Sequence, residues 1–458
     1  MRRILAAKEY VRLLQSLSEE QIQKAAAALA HSARELMAQF GLNRSVFLFD
    51  EPLRPIALGA LELVLGIGIE TTAAALNADD LPDLAGSLIC DLLFDPVGRG
   101  TVREKRAAWI EAAIRSGQPV LSAAIPAGVD PDTGAVEHEA LCARITMAVE
   151  GYLPGLFLRE GLDHCGEIRP VGEEAEGVAG TFRFEASDAQ RSLPPRKRTA
   201  HKGDAGKALL CVGSPRYVGA ALLSARACLA AGCGILFVAC PDEVRAALWR
   251  LPEAIGIPVG SDWNRENCRP AIHAMAGKQA LGIGCGVGDG DVSPLLEAAL
   301  KTGLPLVLDA DGLNCLSRRR ELFSLLHEKV VLTPHPGEMG RLTGLPAPRV
   351  LEDPLSLAAE FAHQWGCTVL LKGAATAVSD GKRTRLVAEG NAGLGKGGSG
   401  DVLTGIITGL LSQGTEPFTA ACLGSYLLGA SADRALALLK ERMLRATNVI
   451  EALEDWNE

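Results

Sequence analysis

The chain of 458 residues is poor in aromatics, which make up 4% of it, so any core must be filled by Leu, Val, Ile and Ala. It has no run of about 18 uncharged apolar residues, which excludes a membrane-spanning helix. The N-terminus opens Met1-Arg2-Arg3, but Lys8, Glu9 and Arg12 interrupt the apolar core that a secretory signal needs. The 12 cysteines are scattered singly, as at Cys90, Cys211, Cys285 and Cys422, with no CxxC pair. A zinc site is not expected. Buried, reduced thiols in a cytoplasmic protein are. Positive charge is also in deficit. The net charge of −9 argues against nucleic-acid and anionic-membrane partners, but not against a small anion held by backbone amides. No internal repeat of roughly 20–50 residues and no low-complexity tract occurs.

What is present is a globular composition, 48% hydrophobic and 22% charged, long enough for two or three domains. From Lys207 onward, short apolar runs alternate with helical sequence: KALLCVG, GILFVAC, QALGIG, PLVLDA, VVLTPH and TVLLKG. Such alternation predicts a mostly parallel sheet covered on both faces. Ligands bind such sheets beyond the carboxyl ends of the strands. Those ends carry Gly213-Ser214, Asp309, His335-Pro336-Gly337-Glu338 and Lys372-Gly373. The N-terminal part repeats the pattern more weakly, with SVFLFD, SLICDLLFD and PVLSAAIP between helices. The fold class is therefore α/β throughout, in two domains, residues 1–180 and 190–458. Between them a polar stretch with Gly and Pro reads as the connection, although Thr181 to Phe184 suits a short edge strand.

Asn391 to Asp401, NAGLGKGGSGD, runs directly into the apolar helical stretch VLTGIITGLLSQG. Glycines let successive N–H groups converge, and a helix N-terminus adds its dipole, which makes a site for phosphate or developing negative charge. Asp401 is either a helix cap or a base that takes a proton from a hydroxyl during phosphoryl transfer. The Walker A order GK[ST] is absent.

GKGGSGDVLTG resembles the anion-hole motif of the ribokinase-like superfamily. HKGDAGKALLCVGSPRYVGAALLSARACLAAGCG, VLDADGLN and LTPHPGEMGRLTG are similar to one branch of it, the ADP/ATP-dependent NAD(P)H-hydrate dehydratases, over about Leu193 to Leu453. The resemblance implies a ribokinase-like C-terminal domain that phosphorylates the ring hydroxyl of hydrated NADH or NADPH and releases phosphate. It implies Asp401 as base, with Gly398, Ser399 and Gly400 as the anion hole. Lys372, Gly373, Ala374, Ala375, Thr376 and Gly400 would meet the nucleotide, and Ala220, Gly288, His335 and Asp401 the hydrate. Asn314 and Glu338 would organise Mg2+ indirectly. ADP, giving AMP, is the expected co-substrate, with ATP as the other choice. The family's GPG run appears here as Gly284-Cys285-Gly286.

Residues of about 1–178 resemble, more faintly, the NAD(P)H-hydrate epimerase domain, best at IPAGVDPDTGAV and ARITMAVEGYLPGLFLREG. This implies a Rossmann-like α/β/α fold. Where that family has an Asp before the IP, this chain has Ala124. Its Asn-Gly-rich phosphate and K+ loop is replaced by Glu51-Pro52-Leu53-Arg54-Pro55-Ile56-Ala57, and a GTG run by Asp95-Pro96-Val97-Gly98. Loss of the K+ site and of epimerase activity is expected, with Asp91 and Asp95 as remaining acids. A homo-oligomer is expected. The rival readings are another small-molecule kinase of the superfamily, acting on a thiazole, pyrimidine or sugar hydroxyl, and an inactive nucleotide-binding regulatory protein.

Overall fold

The structure, a computed structural model, describes residues 1–76, 81–94, 101–173, 180–196, 198–199 and 201–455, the first three of the helix at 101 by their backbone alone. The chain divides into two compact units, Met1–Gly177 and Val178–Glu458.

The first unit holds six parallel strands: β1 (Arg44–Phe49), β2 (Glu70–Ala75), β3 (Ser87–Leu92), β4 (Val120–Ala123), β5 (Ile145–Val149) and β6 (Glu167–Val171). Their order, β2-β1-β3-β4-β5-β6, is that of a doubly wound sheet. β3, β4 and β5 are buried along their whole length, as is β1 after its first residue, which explains their continuous apolar sequence. The edge strands β2 and β6, written ETTAAA and EIRPV, are half exposed and carry no such run.

The second unit is built on ten strands: β7 (Gly180–Arg183), β8 (Lys207–Cys211), β9 (Ile235–Cys240), β10 (Ala254–Pro258), β11 (Ala280–Ile283), β12 (Leu306–Leu308), β13 (Val330–Leu332), β14 (Thr368–Leu371), β15 (Thr376–Ser379) and β16 (Arg383–Val387). The order is β10-β9-β8-β11-β12-β13-β14-β15-β16-β7. All pairs are parallel except those that β15 makes with β14 and β16. The Ser399–Ser412 helix is buried from Val402 onward and packs on the Val218–Ala230 helix. Gly405 permits that approach, because a Cβ there would lie 2.2 Å from the Ser224 carbonyl oxygen.

Two expectations are corrected. The domain boundary falls at 177/178, so most of the stretch read as a connection belongs to the second unit. β7 adds to β16, Arg183 pairs with Glu389 at 3.1 Å, and Phe184 meets Tyr426 edge-on at 6.0 Å. β7 is the short edge strand expected at Thr181 to Phe184, and its pairing with β16, far along the chain, fixes which sheet it joins. Cys142 is exposed, whereas the other eleven cysteines are buried; all are free thiols. No helix among the described residues is long and apolar enough to cross a membrane.

Candidate active site

The carboxyl ends of β8, β11, β12, β13 and β14 deliver Ser214, Cys285–Gly288, Asp309–Asp311, His335–Glu338 and Lys372 to one edge of the sheet. The Ser399–Ser412 helix begins there. Its N-cap is Gly398, at φ 103, a left-handed conformation that a side chain would strain. No side chain caps this end, so the first-turn N–H groups stay open to an incoming anion. Asp401 is the third residue inside the helix and is therefore not its N-cap. Lys396 is turned aside, its Nζ donating to the Leu444 carbonyl at 2.8 Å and to that of Arg442.

Behind this turn sits a buried charge network. Asp309, 1% exposed, accepts from Lys372 Nζ at 2.7 Å, from its neighbour's N–H (Ala310) at 2.8 Å and from Thr404 Oγ1 at 2.8 Å. Thr404 lies three residues after Asp401 on the same helical face. Lys372 Nζ also lies 3.8 Å from Glu338 Oε2. Burial opposes its charge, yet Asp309 and Glu338 together hold the ammonium above the ordinary lysine value. A side chain on Gly400 would start 3.4 Å from Asp309 Oδ2 and 3.7 Å from Lys372 Nζ, which places the glycine backbone directly over the pair.

Asp401 is pushed up to about 6, first by burial and then by the charge of Asp309. The nearby Cys285 thiol works the other way and favours the ionised carboxylate. A carboxylate with this value is mostly ionised at neutral pH and is a stronger base than an exposed aspartate.

Asp401, Ala220 and Gly288 line one open cavity of about 640 Å³, together with Ser214, Arg216, Tyr217, Asp262, Asp289 and Asp311. Asp311 accepts from the Gly288 N–H at 2.7 Å and from Asn314 Nδ2 at 3.3 Å, while Asn314 Oδ1 accepts from Arg341 Nε at 2.9 Å. His335 is not among the cavity's lining residues. It caps the Pro336–Thr343 helix, its Nδ1 accepting from the N–H groups of Gly337 and Glu338 at 3.0 and 3.4 Å. Glu338, 5% exposed, accepts from the His335 N–H at 2.9 Å. In the 372–376 segment Gly373 and Ala374 are exposed, Ala375 is buried, and Thr376 opens β15 opposite Val387. Sequence reasoning placed Ser214 and Asp309 at the ligand-binding ends of the strands without assigning either a role, and passed over Thr404 and the Cys285 thiol. Asp309 stands within VLDADGLN, and the Asp401–Thr404 spacing marks one helical face; Cys285 is marked only by its place in the Gly284-Cys285-Gly286 run.

In the first unit, Asp91 is fully buried and accepts from Ser122 Oγ, Ala127 N–H and Leu93 N–H at 2.8, 2.9 and 3.1 Å. Burial raises it to about 6. Asp95 and Gly98 lie outside the described residues. Ala124 keeps a left-handed backbone, φ 67. At the end of β1, Asp50 pairs with Arg106 at 3.0 Å, and Glu51–Leu53 form a 3-10 turn.

A ribokinase-like superfamily protein from Enterococcus faecalis, solved as a crystal structure, shares this fold: TM-score 0.53, 24% identity, 62% of this chain and 97% of that one. The second unit is thus a ribokinase-like α/β domain with a carboxylate at the N-terminus of its buried helix. Residues 208–454 match the family described as NAD(P)H-hydrate dehydratase, and residues 4–155 that described as YjeF-related protein N-terminus. The bifunctional NAD(P)H-hydrate repair enzyme of Moorella thermoacetica is 34% identical over 92% of this chain and 83% of its own length. That of Escherichia coli is 31% identical over 88% and 77%. The chain belongs to the family of bifunctional NAD(P)H-hydrate repair enzymes. A Bacillus subtilis ADP/ATP-dependent NAD(P)H-hydrate dehydratase co-crystallised with ATP and Mg2+ is similar over 61% of this chain and 98% of that one, with TM-score 0.52 and 29% identity.

Proposed function

We propose that the Val178–Glu458 unit dehydrates the S form of hydrated NADH or NADPH at the expense of ADP, giving AMP and phosphate. Asp401 takes the proton of the ring hydroxyl, and the oxygen attacks the terminal phosphorus of ADP, breaking the bond to AMP. The open N–H groups of Gly398, Ser399 and Gly400 receive the transferring group's negative charge. The ring then expels phosphate in place of hydroxide, a neighbouring ring C–H gives up its proton, and the dihydropyridine returns. The observation that carries this reading is the placement of one part-buried carboxylate, raised toward neutrality, beside an uncapped helix N-terminus and at a cavity with room for the hydrate. Lys372 and the segment to Thr376 would hold the nucleotide, and Ala220, Gly288 and His335 the hydrate, His335 through the turn it orders.

No group of three or more His, Cys, Asp or Glu able to hold a metal occurs among the described residues. The donors present fit a Mg2+ carried on nucleotide phosphates and water, beside Glu338 and Asn314, where it would neutralise phosphate charge.

The Met1–Gly177 unit keeps the epimerase-like fold without the activity or the K+ site. Ala124 supplies no proton at the turn where the family expects an acid. Asp91 is committed to three internal hydrogen bonds, and Asp50 pairs with Arg106.

The test is recovery of dihydronicotinamide absorbance from the purified S hydrate, with ADP and ATP compared, and from the R hydrate under the same conditions. Turnover of S with ADP and none of R supports both parts. No recovery from S with either nucleotide rejects the first part, and accelerated R-to-S exchange rejects the second.

A further inference from the structure

The cavity headed by Asp401 contains one polar side chain whose chemistry is unspent. Ser214, at the carboxyl end of β8, is 4% exposed and lines the cavity, and its hydroxyl has no hydrogen-bond partner among the described residues. The main chain around it is anchored. Gly213 N–H donates to the Cys285 carbonyl at 2.8 Å, Trp263 Nε1 donates to the Gly213 carbonyl at 2.7 Å, and Tyr217 N–H donates to the Ser214 carbonyl at 2.8 Å. The residue is therefore held at a fixed point on the cavity wall while its Oγ remains unpaired. An unpaired buried hydroxyl costs stability, so a native structure that keeps one needs a reason for it.

The polar groups nearby are engaged with one another rather than with this hydroxyl. Asp311 is already bonded to Gly288 and Asn314, and Asp262 Oδ1 accepts from the Trp263 N–H at 2.8 Å. Gly288, with no side chain, faces the hydroxyl: a Cβ built there would already stand in van der Waals contact with it, at 3.6 Å. The charged groups on the wall are the carboxylates of Asp262, Asp289, Asp311 and Asp401, against the guanidinium of Arg216. The anionic parts of a dinucleotide are drawn to Arg216 and repelled by the carboxylates. A neutral hydroxyl suits an uncharged donor or acceptor instead.

We infer that Ser214 is a positioning residue that hydrogen-bonds the uncharged hydrated nicotinamide ring, through its carboxamide or hydroxyl, and thereby sets the ring against Asp401. This rests on the proposed function of the same site.

A group that is unpaired in the free protein and paired only in the complex has an unusual signature. In Ser214→Ala, the KM and the calorimetric Kd for the S hydrate rise roughly 3- to 10-fold, the loss of one neutral hydrogen bond. The KM for ADP stays unchanged, and the Tm of the free protein holds or rises. An unchanged hydrate KM and Kd overturns the inference. So does a fall in Tm of several degrees or a failure to fold, because either shows that the hydroxyl already had a structural partner. Ser214→Cys, which keeps the side chain's length but offers a weak donor, falls between the two in Kd. Absence of turnover by the wild-type chain rejects the functional reading instead, and in that case the calorimetric comparison still decides whether Ser214 contacts the hydrate.

Discussion

Lys372 Nζ reaches Asp309 Oδ1 at 2.7 Å, and the backbone of Gly400 lies over that contact. The pair thus joins the end of β14, the end of β12 and the start of the Ser399–Ser412 helix, three elements far apart in the chain. Removing one member of a buried ion pair leaves the other uncompensated and costs about 3–5 kcal/mol. Lys372→Met should therefore lower the denaturant midpoint strongly and abolish ADP binding. Lys372→Met with Asp309→Asn should regain much of the stability but none of the activity. If the single variant is as stable as wild type, the pair does not tie the site together.

Asp401 links activity and stability with opposite signs. Its folded value of about 6 lies above the ordinary 3.8, so folding disfavours its ionised form. Stability owed to the protonated group is full below pH 3.8 and is lost as pH rises through about 6. Turnover needs the ionised base and falls as pH drops below that same region. Asp401→Asn should reduce kcat by about 10²–10⁴-fold while raising stability at pH 8 by on the order of 1–3 kcal/mol, a gain that vanishes near pH 4. Thermal melts at the two pH values beside a kcat profile check both. Equal melting curves at pH 8 would contradict the burial argument.

The lowering influence of Cys285 on Asp401 predicts a displaced pH profile. A thiol that donates to a carboxylate favours its ionised form. Cys285→Ala withdraws that donor, so the acidic limb of kcat/KM should move to higher pH, whereas Cys285→Ser should leave it near its wild-type position. A purely packing role would lower stability in Cys285→Ala and leave the limb where it was.

Much of this site is legible in the amino-acid order alone. GKGGSGD announces a glycine turn opening a helix, and the alternation from KALLCVG to TVLLKG announces a parallel sheet, because buried strands write themselves as unbroken apolar runs. What escapes notice depends on contacts across long sequence separations. Thr404 reads as one more residue in an apolar helix until Asp309, 95 positions earlier, is found 2.8 Å away. Cys285 reads as a small core residue until it meets Asp401. The edge strands β2 and β6 are half-polar, so neither periodicity nor composition marks them, whereas β7 falls where Thr181 to Phe184 suggested a short edge strand. His335 shows the converse. Its motif is conspicuous, yet the side chain is engaged in capping its own helix.

Ala124 offers a measure of what the first unit has kept. Its backbone sits at φ 67, where an L side chain is strained by about 1–2 kcal/mol. The turn is held by its neighbours: the Ala124 N–H donates to the Met147 carbonyl at 2.9 Å, and the Ile125 N–H to that of Ala123 at 3.0 Å. Strain of this kind clusters at functional sites, where the surrounding structure holds it in place. The Ala124 side chain carries no acid, so its own contribution to the turn is the strain of this backbone. Ala124→Gly relieves the strain but gives the unfolded chain more freedom, which returns part of the gain. The net expectation is a stabilisation of up to about 1 kcal/mol, read as a higher urea midpoint for the first unit, with S-hydrate turnover unchanged. A lower midpoint would mean that the methyl group is packed more favourably than the backbone is strained.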